Sequence, residues 1–125
     1  VALTRADRRR SLWAGHGAEW AAEIYLRAKG YRILARRYLV KGGEIDIIAR
    51  RGETIAFVEV KLRGSIEAAQ TSIGADKRRR MARAVRTYLS GNEAAMRMVL
   101  RADAVYLAPW HWPLHVENAF ELNLG

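Results

Sequence analysis

Three residues in this chain have the types and spacing that chemistry on a phosphodiester would need: Asp46, Glu59 and Lys61. Asp46 interrupts the run Glu44-Ile45-Asp46-Ile47-Ile48-Ala49, and Glu59 interrupts Ile55 to Leu62, which is otherwise apolar except for Lys61. Burying a carboxylate near the centre of such a run costs several kcal/mol unless it is paired or bound to a metal. A hard divalent ion such as Mg²⁺ or Mn²⁺ takes oxygen ligands and keeps several waters, so a few convergent carboxylates beside a scissile phosphate suffice for hydrolysis. Lys61, two residues past Glu59, projects beside it and is placed to orient an attacking water and to offset charge building on the phosphate. Glu19 is a fourth candidate, for the metal's outer shell or a second ion. The residues alone leave another reading open: a solvent-facing sheet surface on which Glu59 and Lys61 simply pair with neighbours.

The elements that must position these groups follow from hydrophobic periodicity. Ala18, Ala21, Ala22, Tyr25 and Leu26 recur at helical steps, which predicts a helix from Gly17 to Lys29 with Gly30 as its stop. Tyr31 to Val40 reads as a strand and Lys41-Gly42-Gly43 as a turn. In Glu44 to Ala49 the period of two sets Glu44, Asp46 and Ile48 on one face and Ile45 with Ile47 on the other. Arg50 to Thr54 is a hairpin connection, and Ile55 to Leu62 is a third strand, with Glu59 and Lys61 on the face of Phe57. If the hairpin register agrees, Asp46 and Glu59 approach each other. Gly64 to Gly74 reads as a loop or weak helix, Ala75 to Leu89 as an amphipathic helix, and Met98 to Leu107 as a fourth strand. Leu114 to Val116 is a candidate edge strand. The expectation is one α/β domain over residues 1–125 with a mixed sheet flanked by helices, led by a basic arm or short helix over residues 1–14.

Composition narrows the function classes. Lys and Arg number 22 against 13 Asp and Glu, for a net charge of +9. Such a surface binds polyanions through counterion release, so nucleic acid is the expected partner, although an acidic protein partner fits the same charge. Lys77-Arg78-Arg79-Arg80, continued by Arg83 and Arg86, lies on one predicted helix with few acidic residues to neutralise it and is expected to track a phosphate backbone. There is no Cys, hence no disulfide framework or thiolate zinc site. No apolar run approaches a bilayer span and no signal-peptide core follows Arg10, so no membrane association and a cytoplasmic location are expected.

The run Gly43-Glu44-Ile45-Asp46-Ile47-Ile48-Ala49, then Phe57-Val58-Glu59-Val60-Lys61 and Arg63, resembles the signature of the bacterial YraN-like proteins. That group is placed in the restriction-endonuclease-like superfamily, with a fold related to archaeal Holliday-junction resolvases. The likeness extends to Gly17, Ala18, Glu19, Ala22 and Gly30-Tyr31 upstream, and to Lys77, Tyr88, Asp103 and Asn118-Ala119-Phe120 downstream. It implies an αβββαβ core and the nuclease pattern PD-(D/E)xK carried by Asp46, Glu59 and Lys61, with Glu19 as the helix acid and the Val60 carbonyl as a further metal ligand. On the residues and the resemblance together, the expected substrate is DNA, branched or junction-containing, with Arg63, Lys77, Arg79, Arg83 and Arg86 in phosphate contact. A homodimer would supply paired cuts. Two departures stand out: Ile45 where the motif's name has Pro, and Ala102 before Asp103 where the group carries an aromatic. The second removes a core-filling group that Tyr106 or the Trp residues are expected to offset. A nucleic-acid-binding module that keeps the fold without cleaving is the alternative.

His16, His111 and His115 do not share a metal-ligand spacing, since Pro113 separates the last two, and they read as surface or packing histidines. Trp110 and Trp112, flanked by Pro109 and Pro113, read as a core lid or oligomer contact, with base stacking as the functional alternative.

Overall fold

In the computed structural model, which describes residues 5–124, with side chains described from Gly17 onward, five strands form one mixed sheet in the order β1-β2-β3-β4-β5. The strands are β1 (Arg32–Val40), β2 (Gly43–Arg51), β3 (Thr54–Leu62), β4 (Val99–Leu107) and β5 (Leu114–Val116). Pairing is antiparallel throughout except between β3 and β4, which run parallel. Helices α1 (Arg5–Ala28), α2 (Ile66–Gln70) and α3 (Ala75–Ser90) flank the sheet, and a short 3₁₀ helix covers Glu93–Arg97. This is the α/β architecture with a mixed, helix-flanked sheet that the sequence implied, and it is consistent with a restriction-endonuclease-like core.

Two apolar cores lie on opposite faces of the sheet. On one, Ala18, Ala22 and Leu26 of α1 pack on Ile47, Ala49, Ala56 and Val58. On the other, Met81, Ala84, Val85 and Leu89 of α3 meet Ile45, Ile48, Ile55, Phe57 and Ala102. Phe57 pairs in register with Ala102 and packs edge-to-face on Tyr88, so large neighbours fill the space left by that alanine. Tyr106 belongs to a separate cluster with Ile66 and Ala69, and both Trp110 and Trp112 are exposed, so neither compensates for Ala102 and neither tryptophan is a core lid.

Helix α1 ends as expected at Gly30, which adopts φ 93°. The Tyr31 amide donates to the Leu26 carbonyl and the Gly30 amide to that of Arg27, a Schellman closure that consumes Tyr31 before the strand begins. The helix begins much earlier than Gly17, at Arg5. No proline or capping signal separates the Ala-, Leu- and Arg-rich leading segment from the rest, and Gly15 and Gly17 each cost only ~1 kcal/mol relative to Ala in a helix interior. Residues 1–4 of the predicted basic arm, and the side chain of His16, lie outside the described residues. The stretch read as loop or weak helix forms α2 because the Ser65 hydroxyl caps it, accepting from the Ala68 amide at 3.1 Å, and because Ile66 and Ala69 are buried.

Gly43 fixes how α3 meets the sheet. A β-carbon there would collide with the Arg80 carbonyl and press on the Ala84 amide, both helix backbone atoms. The missing side chain therefore lets α3 lie directly on the start of β2.

Candidate active site

The site forms where β2 parts from β3 while it stays paired with β1. The β2–β3 register runs from Arg51↔Thr54 to Ile47↔Val58, and one further step would set Asp46 opposite Glu59. At that step the Val60 amide donates to the Asp46 carboxylate Oδ2 at 2.8 Å, so a side chain takes the place of a ladder partner. On the other side the β1–β2 register steps from Arg36↔Ile47 to Tyr38↔Ile45, passing over Arg37 and Asp46. Arg37 there adopts φ 47°, a sparsely populated conformation for a residue with a side chain. The face of β2 changes across this irregularity. Ile45 joins the α3 core and Ile47 the α1 core, which overturns the period-of-two reading that put them on one face. On β3 the alternation holds: Phe57 faces α3 while Val58 and Val60 face α1.

A cleft of about 390 Å³ opens at this point, lined by Glu19, Glu44, Asp46, Glu59, Val60, Lys61, Arg63 and Lys77 among others. Glu59 is 99% buried by side chain, reached at Oε1 by Lys61 Nζ at 3.2 Å and by Lys77 Nζ at 3.5 Å. Its other oxygen, Oε2, is buried without a hydrogen-bond partner. Burial, reinforced by the neighbouring Asp46 charge, pushes the Glu59 carboxyl up to about 7, against the opposing pull of Lys77 and Lys61. Lys77 also donates to Glu44 Oε1 at 2.6 Å, and Arg80 lies 3.6 Å from the same oxygen. The Lys77 hydrogen bond holds Glu44 below the usual carboxylate range despite its partial burial. Burial opposes the Lys77 charge, but Glu44, Glu59 and Asp46 together hold its ammonium above its ordinary value.

The cleft thus brings together Asp46, Glu59, Val60, Lys61, Arg63 and Lys77. Glu19 lines the same cleft from α1, on the opposite face of the sheet from α3, and its Oε2 accepts from Arg37 Nε at 2.7 Å. Among the described residues no group of three or more His, Asp or Glu converges as a metal cage. Arg79, Arg83 and Arg86 lie elsewhere, in a groove of about 410 Å³ on the outer side of α3 with Glu121 and Asn123. Arg79 faces Asp76, Arg86 donates to the Asn123 carbonyl at 3.1 Å, and Arg83 covers Gly42. Sequence reasoning missed that Lys77 belongs inside the site, with Glu44 as its counterion. The available signal was the glycine pair at Gly42-Gly43, which marks a close approach of another backbone.

A second buried polar cluster lies across β4 and β5. Asp103, fully buried, accepts from Arg101 Nε and Nη2, each at 2.8 Å, from the Asn118 amide at 3.0 Å and from His115 Nε2 at 2.8 Å. Lys29 Nζ lies 2.6 Å from His115 Nδ1; since an ammonium only donates, the ring accepts there and presents its Nε2 proton to Asp103. Burial alone would raise the Asp103 carboxyl, but the bonds from His115, Arg101 and Asn118 hold it below its ordinary value. This network is structural and leaves His115 a packing histidine.

An α/β sheet with an acid–lysine cleft at a strand junction is the class that fold and site define. Residues 18–107 match the family described as Uncharacterised protein family UPF0102, and the chain belongs to that family. A UPF0102 protein of Methylocella silvestris is 56% identical over 119 residues, covering 95% of this chain and 96% of that protein. Similar proteins from Methylorubrum populi, at 52% over 118 residues and 94% of each chain, and Sinorhizobium medicae, at 46% over 111 residues, 89% of this chain and 91% of that protein, carry the same family name. No helix among the described residues is long and apolar enough to cross a membrane.

Proposed function

We propose that the chain is a Mg²⁺- or Mn²⁺-dependent endonuclease of the PD-(D/E)xK type, acting on DNA in the cytoplasm. The observation that carries this reading is the orphaned Oε2 of Glu59, a buried carboxylate oxygen beside Asp46 that no protein donor satisfies. A hard cation fits that oxygen together with Asp46 and the Val60 carbonyl, with waters completing its shell. When bound, such an ion supplies Lewis-acid polarisation of the phosphate and lowers the pKa of a ligated water. The chain's own residues do the rest. Val60 pins Asp46 through its amide. Lys61 orients the nucleophilic water and stabilises charge developing on the phosphate. Lys77 and Arg63 hold substrate phosphates at the cleft, while Arg79, Arg83 and Arg86 contact the backbone further along α3. Glu19, tethered by Arg37, serves the outer shell. The resemblance to the restriction-endonuclease-like superfamily supports branched or junction DNA as substrate and a homodimer for paired cuts.

A second reading, a DNA-binding module without cleavage, is favoured by the pairing at Glu59: Lys61 and Lys77 already occupy its other oxygen, and among the described residues no group of three or more His, Asp or Glu is placed to hold a metal. Two measurements separate them. Calorimetric titration of Mn²⁺ should detect binding that Asp46→Ala abolishes. Cleavage of single-stranded, duplex, flap and four-way-junction DNA should fall at least ~100-fold in Glu59→Ala and Lys61→Ala. DNA binding with neither metal affinity nor cleavage in the wild type would hand the site to the second reading.

A further inference from the structure

The connection from β4 to β5 reads Ala108-Pro109-Trp110-His111-Trp112-Pro113. Trp110 is completely exposed and Trp112 is 84% exposed. Indoles dominate cores and interfaces because burying them is so favourable, so two of them left in water at one loop tip mark a surface that meets something. The loop is shaped rather than slack. Two prolines fix the backbone at either end. Trp110 sits at φ 61°, a conformation that bulky residues avoid, and such strain gathers at ligand-binding positions. His111 Nδ1 bonds to the Trp112 carbonyl at 2.8 Å, and the Tyr106↔Leu114 pair closes the base of the loop.

Topology puts this tip beside the cleft. Strands β3 and β4 run parallel with Leu62 alongside Leu107, and the Arg63 amide donates to the Leu107 carbonyl at 3.1 Å. Both Leu62 and Arg63 line the cleft. Neighbouring strands lie ~4.8 Å apart and the step from Leu107 to Trp110 spans at most ~11 Å of chain. Trp110 therefore stands within ~16 Å of the cleft wall, about five stacked nucleotides at ~3.4 Å each.

We propose that Trp110 and Trp112 are a stacking platform for unpaired bases of a strand whose phosphates lie in the cleft at Lys61, Arg63 and Lys77. The substrate class is then a nucleic acid with a single-stranded stretch next to the reacting phosphate. The proposal rests on the nucleic-acid reading of the cleft and deepens it. Bases suit the tip because an indole stacks on any of them, whereas in a fully paired duplex their faces are hidden. A second copy of this chain suits this tip less, since the cleft it lies near presents Lys61 and Arg63, which favour a polyanion over an equally basic surface.

The test measures anisotropy of a labelled short single strand, the same strand with abasic sites, and a blunt duplex of that sequence, in chelator at constant salt. It compares wild type with Trp110→Ala/Trp112→Ala and with Trp110→Phe/Trp112→Phe; circular dichroism checks that the folds agree. The alanine pair should lose about tenfold in single-strand affinity for each stacked base, with duplex affinity changed less than about twofold. The phenylalanine pair should recover most of the loss, and abasic sites should reduce the wild type to the level of the alanine pair. Unchanged single-strand affinity in the alanine pair, or an equal loss on duplex, overturns the platform while leaving the cleft reading standing. Sedimentation showing a wild-type dimer that the alanine pair alone cannot form, with DNA affinity intact, reassigns the tryptophans to a contact between copies. Wild type that binds none of the three probes overturns the platform and the nucleic-acid reading together.

Discussion

Replacing Glu59 with Gln should make the metal-free protein more stable at neutral and alkaline pH. The Glu59 carboxyl moves from 4.5 to about 7 on folding, chiefly through burial, with Asp46 adding to the rise. An acid whose folded pKa lies above its unfolded value holds its proton more tightly in the native state, so its contribution is intact below pH 4.5 and is lost as pH rises to about 7. At ~1.4 kcal/mol for each pH unit, that interval amounts to roughly 3 kcal/mol. Gln keeps the shape and cannot ionise. Urea unfolding in chelator, from about pH 5 to about pH 8, should find the two proteins within roughly 1 kcal/mol at the acid end and the variant ahead by roughly 3 kcal/mol at the other. A difference that stays flat across this range, or a wild type that is the more stable at about pH 8, would refute the reasoning. It would mean that Lys61 and Lys77 outweigh desolvation and that Glu59 is a satisfied structural ion pair.

Gly43→Ala should push α3 off the sheet, because its β-carbon meets the Arg80 carbonyl and the Ala84 amide. The expected cost is ~1–3 kcal/mol, and as Lys77 retreats the Glu44 pKa, held down chiefly by that lysine, should return toward its ordinary value in a carboxyl NMR titration; an unmoved helix and unchanged Glu44 would contradict this. Asp103→Asn removes the anion that binds Arg101 and His115 in a fully buried position, at a cost of ~3–5 kcal/mol. Since the Asp103 carboxyl is held below 3.8, its contribution is present above that value and is lost as pH falls through its folded pKa. Wild type should therefore show an acid-unfolding limb below pH 3.8 that is weaker in the variant, measurable by circular dichroism.

Elements dominated by one periodicity were legible in the sequence. The alternation of Ile55 to Leu62 placed Glu59 and Lys61 on the face of Phe57, and Gly30 marked the end of α1. What failed has a physical cause in each case. Periodicity assumes a regular strand, and β2, though continuous from Gly43 to Arg51, loses its pairing at Asp46 opposite the strained Arg37, so Ile45 and Ile47 fall into different cores. The 3₁₀ helix at Glu93–Arg97 buries only Ala95 and leaves little hydrophobic pattern to read. The arginines of α3 formed one basic stretch in sequence, but a helix turns by 100° per residue, as its ~3.6-residue turn requires. Lys77 and Arg80 consequently face Glu44, while Arg79, Arg83 and Arg86 line the outer groove. Helix packing decides that split, and the close approach at Gly43 sets the packing.

The charge balance of the cleft bears on the order in which its ligands would bind. Four acids line the cleft, Glu19, Glu44, Asp46 and Glu59, with Lys61, Arg63 and Lys77, while Arg37 reaches Glu19 and Arg80 reaches Glu44, so the cluster is nearly neutral when Glu59 is ionised. On the metal-dependent reading, a divalent ion adds two positive charges to a site already in balance and competes with Lys61 and Lys77 for Glu59. A substrate phosphate supplies the negative charge that such a site then lacks, and it offers Lys77 a second partner when the ion takes the carboxylate. Metal and DNA should therefore each tighten the binding of the other, as linkage requires of any two ligands with a favourable coupling. The raised Glu59 pKa adds a pH dependence: an ion that ligates Glu59 displaces its proton, so the affinity measured without DNA rises with pH through about 7, and that measured with DNA lies above it.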